Sequence, residues 1–426
     1  MTAKINHISA LEILDSRGTP TVECKVTLTD GTVGAASVPS GASVGLLEAV
    51  EKRDGDADRF FGRGVLSAVK TIEHEIAPIL KDCDPFDQAL IDHKMLALDG
   101  SDQKRKLGAN AILAVSVAVA RAAAVACHLP FYRYLGGDGP IILPLPMMNI
   151  LNGGAHANNL IDIQEFMVVP LKATSFADAL QICAHVYQSL KTYLLKNGHV
   201  TAVGDEGGFA PNLKSSHDAF EALLSAIELA GFRPGEDVAL ALDVAASELY
   251  SDGRYHLRSE QKSFTTAAWV DEISHWVNRY PIVSIEDAMD QQDWQGWQQL
   301  TQRIGAQVQL VGDDVFVTQL ALLQRAVQSS VANAILIKPN QVGSITETFA
   351  TIGFAKQSDY GLVISHRSGE TADTLIADLA VATSAGQIKA GAPCRTDRVE
   401  KYNQLLRIEL EAGDESLIMP ATQLYR

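Results

Sequence analysis

Cysteines and basic residues are scarce in this chain of 426 residues. The five cysteines are odd in number and form no C-x-x-C pair, which argues against a disulfide framework or a cysteine zinc site and indicates a reducing compartment. The formal charge is −16, whereas nucleic acids and anionic membranes are bound through basic patches. We therefore expect no nucleic-acid partner and no anionic membrane partner, while cation binding stays open.

Long apolar runs are also few. The most apolar stretch, residues 111–127, is rich in alanine but carries Ser116 and Arg121. It is short for a bilayer span, so we interpret it as a buried helix. The first residues contain no apolar signal segment. The sequence thus predicts a cytoplasmic protein without membrane insertion.

The composition that remains is typical of an α/β enzyme, with 47% hydrophobic residues and frequent glycine. Residues 5–14, 22–28 and 33–38 predict an antiparallel meander, and residues 64–81 and 107–129 predict helices. Strands followed by helices indicate a small α+β domain.

A glycine-rich stretch at residues 136–140 is the best linker candidate. We predict an N-terminal domain over residues 1–138 and a catalytic domain over residues 139–426. The second part alternates short apolar strands with helices, giving about eight strands in roughly 290 residues, the size of a (β/α)8 barrel. The C-terminal ends of barrel strands converge on one face, so residues at those ends would meet.

Polar residues end several of these predicted strands, and one segment, residues 202–204, leads to Asp205 and Glu206. The later strand ends are about 25 residues apart after a longer first step, which leaves room for a hairpin near residues 250–255. These strand ends are Asp243, Glu286, Asp313, Lys338, His366 and Lys389.

Three acids, Asp243, Glu286 and Asp313, end successive strands. Any one of them alone could be a helix N-cap. Three converging carboxylates would repel one another without a partner, and oxygen-only ligands favour Mg²⁺. The trio therefore predicts a divalent cation site.

Two lysines, Lys338 and Lys389, end strands that are two apart in the predicted order. Lys338 follows an apolar run, and Pro339 cannot continue the strand. Neighbouring like charges disfavour protonation, so one lysine could act as a base. The alternative is that both lysines are solvated or pair with the acids.

The segment after residue 364 carries Arg367 and Ser368 between a predicted strand and a predicted helix. They could bind a phosphate at the helix N-terminus, or form an ordinary N-cap with a salt bridge. The loop at 40–45 could be a lid or a plain loop, and His156 alone is more often structural. A cation site, a lysine base, a separate acid and an anion clamp together suit proton abstraction next to a carboxylate.

These residues lie in motifs that resemble those of the enolase (phosphopyruvate hydratase) family, from residue 5 to the C-terminal region. A lysine or histidine base with Mg²⁺ is the general pattern of the enolase superfamily. The similar segments are residues 14–18, 40–43, 147–156, 162–166, 204–211, 241–245, 284–287, 337–343 and 365–371.

The resemblance implies a small N-terminal α+β domain with a closing loop at 40–45, followed by an enolase-type (β/α)8 barrel with an irregular second strand. It implies Mg²⁺-dependent, reversible dehydration of 2-phosphoglycerate to phosphoenolpyruvate in glycolysis and gluconeogenesis. The substrate would be a small phosphorylated carboxylic acid. Two Mg²⁺ would bind per active site, the second with substrate, and the chain would form a homodimer or a higher homo-oligomer.

The resemblance also implies catalytic roles. Lys338 would take the C2 proton, and Glu206, assisted by Glu165, would protonate the departing C3 hydroxyl. Lys389 would bind the substrate carboxylate and depress the pKa of Lys338. His366 would support the site.

The binding residues follow from the same resemblance. The metal ligands would be Asp243, Glu286 and Asp313 for the first ion and Ser43 for the second. The substrate contacts would be His156, Gln164, Glu165, Lys338, Arg367, Ser368 and Lys389.

The sequence departs from the usual family residues without losing a predicted ligand, acid or base. We hypothesise retained activity with altered loop closure or second-metal affinity. Measuring kcat against Mg²⁺ for the wild type and Val44→Thr would test this, and identical curves would reject it. The departures are Thr19, Val44, Leu47, Asn158, Leu160, Ala372 and Ala390.

Two other functions stay in competition. One is another reaction of the enolase superfamily, such as racemisation or cycloisomerisation. The other is a binding role at the cell surface, after secretion, or in an assembly, as in relatives that bind plasminogen. The last residue, Arg426, is not the terminal lysine often associated with that role.

Overall fold

The computed structural model describes residues 3–41 and 45–424. It opens with an antiparallel sheet of three strands, in the order β1 (Ile5–Leu14), β2 (Pro20–Leu28) and β3 (Val33–Ser37). The turns between them contain Gly18 and Gly31, whose positive φ angles of 71° and 88° suit glycine. The predicted meander is confirmed.

Helices cover this sheet, and the most apolar of them is the helix that the sequence predicts to be buried. It packs on β2 and β3, and its backbone approaches Gly34 closely. By length and composition this helix could cross a membrane, but 83% of it is buried within the protein. A π-helical turn, Ile72–Ile76, joins the first two helices. The five helices are α1 (Leu66–Thr71), α2 (Ala77–Leu80), α3 (Gln88–Asp99), α4 (Ala109–Ala126) and α5 (Phe131–Gly136).

The remaining strands build a barrel, a three-stranded insertion and a two-stranded parallel sheet. The insertion, at residues 250–264, contains the predicted hairpin and adds one strand to it. These strands are β4 (Ile141–Leu143), β5 (Leu145–Pro146), β6 (Met148–Asn152), β7 (Glu165–Pro170), β8 (Val238–Asp243), β9 (Tyr250–Ser251), β10 (Arg254–Leu257), β11 (Lys262–Phe264), β12 (Ile282–Glu286), β13 (Gln309–Gly312), β14 (Ala334–Ile337), β15 (Gly361–Ser365), β16 (Gly386–Lys389) and β17 (Ser416–Ile418).

The barrel sheet has nine strands in the order β5-β16-β15-β14-β13-β12-β8-β7-β6. Only Met147 separates β5 from β6 in the chain, so the two ends of the sheet meet and the barrel is nearly closed. β7 runs antiparallel to both neighbours, whereas the other pairs are parallel. The expected barrel with an irregular second strand is confirmed.

Helices surround the barrel, and the apolar core lies between them and the sheet. Most begin after a side-chain cap, for example Ser344, whose hydroxyl accepts from the Glu347 amide. These helices are α6 (Phe176–Lys196), α7 (Ser216–Leu229), α8 (Ala246–Leu249), α9 (Thr266–Arg279), α10 (Trp294–Ile304), α11 (Leu320–Ser329), α12 (Ile345–Gln357), α13 (Leu375–Ala382) and α14 (Thr396–Ala412).

Two local predictions are wrong. Residues 202–204 form no strand; Val203 makes only an isolated bridge to Phe209, because the glycine-rich turn folds back on itself. The helix after β15 begins at Leu375, so Arg367 and Ser368 do not lie at a helix N-terminus. Residues 366–374 instead form a loop, in which Gly369 pairs with Ser40. The domain boundary at residue 138 stays a prediction.

Candidate active site

A cavity opens at the C-terminal ends of the barrel strands. All predicted site residues line it except Glu286, which forms an ion pair with Lys389, and Ser43, which lies outside the described residues together with Val44. The predicted residues that line it are His156, Gln164, Glu165, Glu206, Asp243, Asp313, Lys338, His366, Arg367, Ser368 and Lys389.

The strand order explains this convergence. β13, β12 and β8 are neighbours, so Asp313, Glu286 and Asp243 lie at adjacent strand ends, as predicted. Because β7 is antiparallel, its first residue, Glu165, pairs with Asp243, the last residue of β8. Glu165 therefore reaches the cavity from the beginning of its strand.

Lys389 forms ion pairs with two of the three predicted metal ligands, Glu286 and Asp243, and with Glu165. Its Nζ is 2.7 Å from Glu286 Oε2, 3.0 Å from Asp243 Oδ2 and 3.2 Å from Glu165 Oε1. Burial lowers the pKa of Lys389, but Asp243, Glu165 and Glu286 outweigh it and hold the pKa well above its usual range. The lysines pair with the acids, which is the alternative that the sequence left open.

Lys338 follows β14 and forms an ion pair with Asp313, with only 13% of its side chain exposed. Burial lowers the pKa of Lys338, and Arg367 and Lys389 lower it further, but Asp313 raises it more, so that the net pKa is above its usual range. A depressed pKa of Lys338 stays a prediction for a site in which Asp313 is engaged elsewhere. Lys389 acts in the expected direction, but the carboxylate beside Lys338 dominates.

A second group of side chains faces the cavity from the β7 side. Ligand atoms of His156, Glu165 and Glu206 lie within 4.8 Å of one another. Asn149 Nδ2 donates to Glu206 Oε2 at 3.0 Å, and His366 Nε2 lies 3.4 Å from Glu206 Oε1.

The two carboxyl groups of this second group, Glu165 and Glu206, differ in pKa. Burial, followed by the charge of Glu206, raises the pKa of Glu165 well above its usual range. Burial lowers the pKa of His366 to about 3, so its imidazole is neutral at physiological pH. Burial raises the pKa of Glu206, but His366 and His156 outweigh it and hold the pKa well below its usual range, so a proton kept by this pair lies on Glu165.

Arg367 and Ser368 lie on the loop after β15. Arg367 Nη1 donates to Glu48 Oε2 at 2.9 Å, and only 3% of the Arg367 side chain is exposed. Arg398 is fully buried and donates to the carbonyl oxygens of both Arg367 and Ser368. The two side chains are thus held at the cavity without a helix N-terminus.

The carboxylates of the cavity fit a divalent cation. Eight carboxylate residues and three cationic residues line it, which leaves an excess of negative charge. Glu286 Oε1 is buried without a hydrogen-bond partner among the described residues, and Gln164 Nε2 contacts Asp243 Oδ2 at 3.3 Å. Oxygen ligands of this kind suit Mg²⁺, so the residues fit the predicted ion.

A further acidic group contains Asp313 with two acids that the sequence reasoning did not select, Asp287 and Asp314. Asp287 accepts hydrogen bonds from the amides of Asp313 and Asp314 at 2.9 and 3.0 Å. Burial and the charge of Asp313 raise the pKa of Asp314 to about 7. Asp287 directly follows the predicted ligand Glu286, and Asp314 directly follows Asp313. This position in the sequence was a signal by which both acids could have been predicted.

Three other residues of the site could not be predicted from any sequence pattern. Glu48, Gln341 and Arg398 come from three separate segments and meet the site only through the fold. Of the departures from the family residues, Leu47 and Leu160 are exposed, and Ala390 is buried. Their effect on loop closure stays a prediction.

The sequence profiles of two known protein domains match this chain. The profile described as "Enolase, N-terminal domain" matches residues 5–135, and the profile described as "Enolase, C-terminal TIM barrel domain" matches residues 140–424. These matches imply a lyase-type enzyme of the enolase superfamily, a group that typically binds metal. The barrel, the acidic cavity and these two matches together establish that the chain belongs to the enolase family.

Proposed function

We propose that this protein catalyses the Mg²⁺-dependent, reversible dehydration of 2-phosphoglycerate to phosphoenolpyruvate. One observation carries the proposal: Lys338 and Glu165 line the same cavity from strands four places apart in the nine-stranded sheet, and Glu206 lines it close to Glu165. A base and an acid on different sides of one cavity suit removal of a proton from one carbon and of a hydroxyl from the next.

Lys338 is the proposed base. Its neutral amine would take the C2 proton and become an ammonium. The Asp313 contact now favours the ammonium form, so catalysis requires this carboxylate to be engaged elsewhere. Burial and the charges of Arg367 and Lys389 would then lower the pKa of Lys338.

Glu206 is the proposed acid. It would give its proton to the C3 hydroxyl, which leaves as water while the C2–C3 double bond forms. Glu165 lies close enough to share the proton with it. Asn149 and His366 hold the Glu206 carboxyl in place.

Asp243, Glu286 and Asp313 are the proposed ligands of the higher-affinity Mg²⁺, with Ser43 contributing to a second ion. Bound Mg²⁺ would stabilise the negative charge that develops on the substrate carboxylate. Lys389 would contact the same carboxylate, and Arg367 and Ser368 would bind the phosphate.

Incubation with 2-phosphoglycerate, with and without Mg²⁺, tests this proposal. We expect phosphoenolpyruvate only in the presence of Mg²⁺. Absence of phosphoenolpyruvate in both samples would reject the proposal. A panel of carboxylic acids without phosphate tests the rival reactions, and racemisation or cycloisomerisation of any of them would favour another activity of the superfamily.

The remaining proposals concern the cellular location, the oligomeric state and the partners of the protein. We propose a cytoplasmic homodimer or higher homo-oligomer with no nucleic-acid partner and no insertion into a membrane. A second role at the cell surface, after secretion or in an assembly stays an alternative, because intact acid and base residues do not exclude one.

A further inference from the structure

Glu48 lines the cavity and forms hydrogen bonds through both of its carboxylate oxygens. It is 6% exposed, and its two oxygens have different partners. Oε2 accepts from Arg367 Nη1 at 2.9 Å. Oε1 accepts from the Gly45 amide at 3.0 Å and from Gln341 Nε2 at 3.2 Å. Glu48 therefore joins the arginine of the proposed phosphate site to a glutamine on the loop after β14.

Gln341 continues the connection to the proposed cation site. Its Nε2 also donates to Asp313 Oδ1 at 2.9 Å, and its Oε1 accepts from Thr318 Oγ1 at 2.6 Å. The side chain is completely buried. A primary amide is the neutral group that offers two N–H donors to two carboxylates and an acceptor to a hydroxyl.

We propose that Glu48 and Gln341 are positioning residues that tie the guanidinium of Arg367 to the carboxylate of Asp313. Their hydrogen bonds form one path, Asp313–Gln341–Glu48–Arg367, through buried side chains. The path fixes the phosphate-binding group relative to the cation-binding group. The inference rests on the proposed function, since it concerns the geometry of the same site.

The contacts of Arg367 support an orienting role for Glu48. Nη1 is held by Glu48 and by Asn340 Oδ1, the latter at 3.3 Å. Two acceptors on one nitrogen fix the plane of the guanidinium, because the group is rigid and planar. Burial of the ion pair also makes its loss costly, since a lone buried charge is unfavourable.

Glu48→Gln tests the first link. The substitution keeps the size of the side chain but removes the charge that holds Arg367. We expect the dissociation constant for inorganic phosphate and the KM for 2-phosphoglycerate to rise about ten- to a hundredfold, the usual effect of losing a hydrogen bond between charged groups. We expect kcat to change by less than about threefold, because the interaction is the same in ground and transition states.

Gln341→Met tests the second link, since methionine fills similar space without donors. We expect weaker binding of both inorganic phosphate and Mg²⁺, each by about tenfold, in calorimetric titrations of the full chain. A purely structural role would lower the melting temperature and leave both affinities unchanged.

Lys104→Met is the matched control. Lys104 is buried and forms an ion pair with Glu347, which also joins the N-terminal region to the barrel, but outside the path. The Lys104→Met variant should be less stable than the wild type, but it should bind inorganic phosphate and Mg²⁺ with unchanged affinity.

The outcomes separate the two claims. If Glu48→Gln binds phosphate as tightly as the wild type or more tightly, or if Lys104→Met shifts the affinities equally, the positioning role is wrong. If the wild type binds phosphate and Mg²⁺ but does not dehydrate 2-phosphoglycerate, the proposed function fails, and the affinities of the variants still decide the positioning role.

Discussion

Lys338 and Asp313 form a buried ion pair, and this contact determines the charge of the proposed base. The strand end and the following proline predict where Lys338 lies. They do not predict its protonation, because Asp313 comes from the neighbouring strand and outweighs the positive charges around it. A lysine this closely paired becomes a base only when its carboxylate partner is engaged elsewhere.

Because the proposed base and the proposed acid are different residues, Glu206→Gln should separate their two steps. The amide cannot donate a carboxylic proton, so we expect phosphoenolpyruvate formation to fall about a hundredfold or more. Lys338 is untouched, so exchange of the C2 proton with deuterated water should persist. Loss of exchange together with dehydration, measured by proton NMR, would contradict the separate roles.

At the scale of elements, the contact between β3 and α4 has no spare room. A Cβ on Gly34 would lie 2.2 Å from the Ala122 nitrogen and 2.3 Å from the Ala118 oxygen. Both are backbone atoms, so Gly34→Ala requires the strand and the helix to separate. We expect a loss of about 3 kcal/mol in the free energy of unfolding, measured by urea denaturation.

Gly353→Ala is the control for that experiment. Gly353 lies in α12, and nothing is within 4 Å of a Cβ built there. Alanine is the better helix former, so we expect a gain of up to about 1 kcal/mol. Equal effects of the two substitutions would contradict the packing account.

Asp378, on α13, gives the fold a dependence on pH. Its carboxylate is buried and accepts from Thr374 Oγ1 at 3.2 Å and from Gln404 Nε2 at 3.1 Å. Burial raises its pKa from 3.8 to about 6, although Arg121 opposes the shift. Between these values the folded chain binds a proton that the unfolded chain has released, so this contribution to stability is present at low pH and is lost as pH rises through 6.

Asp378→Asn should remove that loss. We expect the stability of the variant relative to the wild type to increase by about 2 kcal/mol between pH 4 and pH 7. Urea denaturation midpoints at intermediate pH values measure the change. A constant difference between the two proteins would show that Asp378 is ionised throughout.

Patterns within single elements predicted much of this fold, and contacts between elements account for what they missed. Apolar runs and their polar ends located Asp243, Glu286 and Asp313. Periodicity could not show that β7 is reversed, which is what brings Glu165 to the cavity. Nor could it show that residues after Ser365 stay in a loop, because pairing of Gly369 with Ser40 decides that.

The whole molecule carries a formal charge of −16, and its cavity concentrates carboxylates. Ion pairs with Lys338 and Lys389 compensate only part of this charge. Sequence spacing predicted that acids and lysines would converge here. It could not predict that Glu48, from the N-terminal region, completes the arginine site of the barrel.

Mg²⁺ should therefore stabilise the whole chain. A ligand present at a hundredfold excess over its dissociation constant adds about 2.7 kcal/mol, so the melting temperature should rise with Mg²⁺ concentration. Glu286→Gln should reduce the rise, because it removes one proposed ligand charge. An equal rise in the variant, or none in the wild type relative to NaCl of matched ionic strength, would contradict the cation site.

The most direct test of the central claim is the turnover of 2-phosphoglycerate by Lys338→Ala in the presence of Mg²⁺. Circular dichroism and inorganic phosphate binding would confirm that the variant is folded and that its phosphate site is intact. The account predicts that kcat falls about a thousandfold and that exchange of the C2 proton is lost, since no other group replaces the base. A Lys338→Ala variant that retained the kcat of the wild type would contradict the account.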